Sequence, residues 1–172
     1  WEYVPLENIL RGLNRFFDLP MSSFSLGSAN QPLLSVKNEL IAPAICYEIA
    51  YPNLVADRAS EAGLLLTVSN DAWFGRSMAP QQHMQMARMR AIENRKPLMR
   101  GTNNGVTALV NYRGEIDQQL EQYSAGELSG TIRPRMGQTA FTRVGSWPTV
   151  LLSLLICLSL MIKRWLTNKE DE

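Results

Sequence analysis

With 172 residues, 45% of them hydrophobic and 19% charged, the chain can bury one sizeable core but not two large ones. A net charge of +1 leaves no basic footprint for nucleic acid, and one histidine with two cysteines, Cys46 and Cys157, excludes a disulfide scaffold and a His/Cys metal site. The opening WEYVPLENIL has no basic stretch followed by a long apolar one, so no signal peptide is expected in it. No Met begins it, and a piece of a longer protein is expected.

Leu6, Ile9, Leu10, Leu13, Phe16 and Phe17 share one face over residues 5–17, with Pro5 suited to a first turn, and predict a helix. MSSFSLGSANQP is turn chemistry. Residues 33–36 and 40–45 predict two strands about a Lys37-Asn38 turn, and PNLVADRASEAG a helix ending at Gly63. LLLTVS, 64–69, is a continuous apolar run of the kind buried on both faces of a sheet. NDAWFGRSMAP reads as a loop, and 81–96 as a helix stopped by Pro97. Residues 98–101, 106–111 and 115–119 predict strands separated by Asn103-Asn104-Gly105 and Arg113-Gly114 turns, and 127–132 one more. Strands and helices in this alternation predict an α/β fold.

WPTVLLSLLICLSLMI, 147–162, carries no charge, and only Lys163 and Arg164 interrupt the run to Leu166. Twenty residues at about 1.5 Å each span a hydrocarbon core of roughly 30 Å. Trp147 and Trp165 stand at the two rims, where a membrane span places its aromatics. The alternative is a buried core helix. Charge does not orient the span, since Lys163, Arg164 and Lys169 are balanced by Arg133, Arg135 and Arg143 on the other side.

The chemistry centres on IAPAICYEIAYPNLV, 41–55, where an apolar strand ends on Cys46 and a helix begins. A thiolate attacks a carbonyl and a thiol does not, and helix N-terminal N–H groups favour the thiolate. The backbone N–H of Tyr47 would serve as half of an oxyanion hole, and Glu48 could orient a partner or a substrate amine. Free cysteines are also among the most buried residues, so packing is the competing reading of Cys46.

ICYEIAYPNL, then LTVSNDAWFG, then QHMQMARMRAIENRKPLMRGTNNGVTALVNYRGEI resembles, in this order, the nitrilase (carbon-nitrogen hydrolase) superfamily. Within it the chain is similar to the apolipoprotein N-acyltransferase family of the bacterial inner membrane, from Glu2 to the C-terminal span. The resemblance implies the C-terminal part of a nitrilase-like αββα sandwich over 1–140, a linker at 141–146, a transmembrane helix at 147–166 and a cytoplasmic tail at 167–172. It implies that Cys46 is the nucleophile, with Tyr47 and Glu48 beside it, and that Glu2 is a supporting glutamate. The family reads Pro-Phe-Gly ahead of that glutamate, where only Trp1 stands here. The family's general-base Glu and catalytic Lys precede Glu2, so this chain corresponds to the C-terminal third and lacks both.

The implied reaction moves an acyl chain from a phospholipid, phosphatidylethanolamine being expected, through a cysteine thioester to the amine of a diacylglyceryl-cysteine on an apolipoprotein. No metal and no cofactor is implied. The catalytic domain is expected on the periplasmic side. Two other readings stay open: an amidase of the same superfamily using water as acceptor, and a non-catalytic membrane-tethered half of a split protein.

Trp73 and Phe74 in the loop after 64–69 are expected to contact acyl chains, the alternative being two aromatics anchoring the loop in its own core. Asn70-Asp71 could shape the site or merely form a turn. Met84, Met86 and Met89 share no face and are expected as core filler. His83 shows no carboxylate partner and is not expected to be catalytic. Arg88, Arg90, Arg95 and Arg100 are expected on a solvated helix face, and Cys157 as inert packing in the span.

Overall fold

The structure, a computed structural model, describes residues 31–170. The helix expected over 5–17 and the glutamate Glu2 lie outside these residues. In chain order the elements are β1 (Leu34–Val36), β2 (Glu39–Ile45), a 3₁₀ turn (Cys46–Ala50), α1 (Pro52–Ala59), β3 (Leu64–Asn70), a second 3₁₀ turn (Asp71–Phe74), α2 (Ala79–Asn94), β4 (Leu98–Asn103), β5 (Ala108–Val110), β6 (Ile116–Gln119), α3 (Ala140–Val144) and α4 (Trp147–Glu170).

The six strands form one mixed sheet in sequence order. β2, β3 and β4 run parallel, and the other neighbours are antiparallel. Parallel neighbours need crossovers, which α1 and α2 supply. β1 and β2 close through a two-residue turn in which Lys37 and Asn38 have φ of 50° and 67°, the twist a tight hairpin requires.

One face of the sheet carries the core. Ala42, Ala44, Leu65, Leu98, Ala108 and Val110 cluster with Val55 and Ala59 of α1 and with Met84, Ala87 and Ala91 of α2. The spacing 84, 87, 91 is one helical stripe, and its small alanines let α2 lie close against the strands. The opposite face is open at the cysteine end, where Ile45 and Val68 are exposed, and covered at the other end, where Ile41 and Leu64 are buried. Among the described residues the molecule is therefore one helix layer on one sheet layer, two of the four layers of a nitrilase-like sandwich. Of the methionines expected in the core only Met84 is buried, and Met86 and Met89 are exposed on other faces of α2.

Three local expectations change. Residues 127–132 form no strand. After β6 the chain turns away and runs to the far end of the sheet, where the Arg135 N–H donates to the Gly63 carbonyl and Lys96 Nζ to the Arg135 carbonyl, at 2.9 and 2.7 Å. Strand propensity without a ladder partner leaves extended chain. The segment expected as a linker holds α3, capped at Thr139, whose hydroxyl accepts from the Thr142 N–H. α2 ends at Asn94 because Arg95 turns left-handed, at φ 50°.

α4 runs 24 residues, about 36 Å. None of residues 147–164 is buried, and the helix is long and apolar enough to cross a membrane. Cys157 is exposed on it rather than packed against the domain.

Candidate active site

β2 delivers Cys46. Ile45 is extended, at φ −100° and ψ 123°, and Cys46 then turns sharply to φ 51° to open the 3₁₀ turn. A non-glycine residue in this region is held by its surroundings. One such hold is Glu48, which is 2% exposed. Its Oε2 accepts from the Ile45 N–H at 2.8 Å and from Arg58 Nη1 at 2.9 Å, and Arg58 also donates to the Pro43 carbonyl. Read from the sequence as orienting a partner or a substrate amine, Glu48 ties the end of β2 to α1 through Arg58.

The register Ile45↔Val68 sets Ser69 beside Cys46. Ser69 Oγ lies 3.5 Å from Cys46 Sγ and 2.6 Å from Asp71 Oδ1. Serine has one proton, and the short contact to a carboxylate takes it, so a thiol S–H at Cys46 faces the Ser69 lone pairs. Asn70 caps the second turn, its Oδ1 accepting from the Ala72 N–H, and Asp71 turns inward to 1% exposure.

Inside, Asp71 meets two residues read differently from the sequence. His83 does have a carboxylate partner: its Nδ1 is 3.1 Å from Asp71 Oδ1, and its Nε2 is 3.2 Å from the Cys46 carbonyl oxygen. Arg100 is not on a solvated helix face. It sits on β4, 2% exposed, with Nη2 2.9 Å from Asp71 Oδ2 and 3.1 Å from His83 Nδ1. Arg90 is buried too, on α2, with Nη1 donating to the Ala50 carbonyl, whereas Arg95 is exposed. Arg88 donates to the Gly114 carbonyl. A sequence signal for Arg100 existed: in a strand, residue 100 shares its face with Leu98, and that face is the core.

Burial pushes the Asp71 carboxyl up, but hydrogen bonds from His83 and Ser69 and the Arg100 charge outweigh it and hold it below the usual carboxylate range. Burial lowers the Arg100 pKa, opposed by the charge and hydrogen bond of Asp71 and more weakly by Cys46. A carbonyl only accepts, so the contact between Nε2 and the Cys46 carbonyl is a hydrogen bond in the forms of the ring that carry a proton on Nε2.

Above this network a cleft of about 400 Å³ is lined by Ile45, Cys46, Val68, Asn70, Trp73 and Thr102, among others. Cys46 is half-buried at its wall. A larger groove, about 680 Å³, adjoins it through Gly101 and Thr102. Trp73 and Phe74 part company: Trp73 is 86% exposed at the rim, whereas Phe74 meets the His83 ring in a T-shaped contact, 6.2 Å between centroids. Tyr47 is half-exposed beside the cysteine. Among the described residues no three His, Cys, Asp or Glu side chains stand together as metal ligands.

Residues 5–141 match the family model of carbon-nitrogen hydrolases. The chain is similar to apolipoprotein N-acyltransferases of Pseudomonas aeruginosa PAO1, at 48% identity over 98% of this chain, and of Azotobacter vinelandii, at 51% over 90%. A third, from Vibrio parahaemolyticus, is 47% identical over 99%. The chain spans about a third of the length of these curated relatives, between 30% and 33%. Among solved structures it is similar to a carbon-nitrogen hydrolase from Helicobacter pylori G27, at 17% identity and a TM-score of 0.49, over 56% of this chain and 41% of that one. With more than half of its residues matched by the family model, the chain belongs to the carbon-nitrogen hydrolase family.

Proposed function

We propose that residues 1–172 are the nucleophile-bearing part of a membrane N-acyltransferase that acylates apolipoproteins, the activity for which its relatives are named. The observation that carries this reading is the position of Cys46: a left-handed strand-to-turn junction, half-buried, on a cleft rimmed by an exposed Trp73. The same chain carries a helix of membrane-spanning length.

In the first step the Cys46 sulfur bonds to the ester carbonyl carbon of a phospholipid, phosphatidylethanolamine in this reading, and the carbonyl electron pair moves to oxygen. The Tyr47 N–H meets that oxyanion. Collapse breaks the ester C–O bond, and the proton lost by Cys46 leaves on the lysophospholipid oxygen. In the second step the α-amine of a diacylglyceryl-cysteine attacks the thioester, forms the amide and returns a proton to sulfur. Splitting the transfer this way predicts ping-pong kinetics. The general-base Glu and the Lys of the family pattern come from residues preceding Glu2 in the full-length enzyme, and Glu2 supports them. Two lipid substrates explain a membrane anchor. α4 keeps the cleft at the bilayer, with the catalytic domain on the periplasmic side of the inner membrane and the tail in the cytoplasm.

The test is acyl-enzyme capture. In the full-length enzyme, phosphatidylethanolamine with a labelled acyl chain should leave a hydroxylamine-sensitive label that Cys46→Ala abolishes. Label retained by that variant would defeat the assignment. Release of the label by water alone, at the rate seen with added lipoprotein amine, would make the protein an amidase instead.

A further inference from the structure

We infer that His83 is a positioning residue that aims the oxyanion donor at the nucleophile, a role that rests on the reading of Cys46 given above. The Cys46–Tyr47 peptide is trans, so its C=O and N–H leave opposite edges of one rigid plane. His83 Nε2 holds the Cys46 carbonyl from the core side at 3.2 Å. The Tyr47 N–H must then face away from the core. It lies in the first turn of the 3₁₀ helix, where backbone donors have no acceptor within the helix, so it is available to a ligand.

His83 is built to hold that plane still. Its Nδ1 sits between Asp71 Oδ1 and Arg100 Nη2, each at 3.1 Å, and Phe74 and Tyr47 bracket the ring at 6.2 and 6.1 Å. At 3% exposure it reaches no substrate. Its outer nitrogen meets the carbonyl of Cys46, not the sulfur, so the geometry is that of an anchor and not of a general base. The anchor also answers the strain at Cys46, whose φ of 51° is pinned from one side by Glu48 on the Ile45 N–H and from the other by His83.

Two reactions of the same sulfur separate this role from general damage. Alkylation by iodoacetamide displaces iodide at a tetrahedral carbon and forms no oxyanion, whereas acylation by phosphatidylethanolamine forms one. In the full-length enzyme His83→Asn keeps a group near Nδ1 and loses the donor at the Nε2 position, and His83→Gln returns an amide N–H to that position. His83→Asn should slow Cys46 acylation by roughly 10- to 100-fold and leave its alkylation rate unchanged, and His83→Gln should recover most of the acylation. Wild-type acylation in His83→Asn, equal loss in both variants, or a parallel loss of alkylation would each overturn the inference. Cys46→Ala run alongside isolates the other failure: acyl label on that variant sinks the nucleophile, whatever His83 does.

Discussion

Arg100 Nη2 stands 2.9 Å from Asp71 Oδ2 with both side chains sealed from solvent, a buried ion pair joining β4 to the turn after β3. Removing one partner strands the other charge. Arg100→Met should destabilise the domain by about 3–5 kcal/mol, and adding Asp71→Asn should recover part of that loss. Thermal unfolding of the single and double variants in the full-length enzyme checks the sign of the difference.

Acid should act through the same carboxylate. The Asp71 pKa in the folded protein lies below its ordinary 3.8, so on acidification the unfolded chain takes up this proton first. The stabilisation is complete above about pH 4 and is lost as pH falls through the lower folded value. Stability measured against pH should fall less steeply on the acid side in Asp71→Asn than in wild type. Parallel acid limbs would show that Asp71 is not a source of the slope.

Gly105 is the floor under this carboxylate. A Cβ built there would overlap the Asp71 side chain, with its Cγ at 2.8 Å and Cβ at 2.9 Å. Gly105→Ala should cost about 1–3 kcal/mol by overpacking. Because a displaced Asp71 also releases His83, it should slow Cys46 acylation, read in the same acyl-capture assay. A variant with full acylation would mean that Asp71 tolerates the shift.

Trp73 tests the lipid contact. At 86% exposure its loss should change stability by less than about 0.5 kcal/mol. If the ring sits in lipid during turnover, Trp73→Ala should slow acylation from phospholipid vesicles by roughly tenfold, the scale of one apolar side chain withdrawn from an apolar phase. Acylation by a water-soluble short-chain ester should not change.

The parts of the site that could be read along the chain are those set by neighbours in sequence. Cys46 at the end of an apolar strand is a local pattern, as is the Lys37-Asn38 hairpin turn. The supporting groups are not local. His83 reads as unpartnered along the chain because its carboxylate is twelve residues back, in a turn whose inward direction depends on how Asn70 caps it. Glu48 could be read as facing substrate or protein, and the choice fell to Arg58, ten residues away on α1. Residues 127–132 pass over Leu109 and Gln118 without joining the ladder of β6, a tertiary outcome that composition cannot reveal.

Local chemistry and periodicity were enough to specify the α/β order, the cysteine at its junction and the uncharged run from 147 to 162, because each depends on residues within a turn or two of one another. The alignment of three parallel strands settled the rest. It brings residues 46, 69, 71, 83 and 100 to one point and turns an arginine and a histidine inward, since only there do their charges and protons find partners out of water.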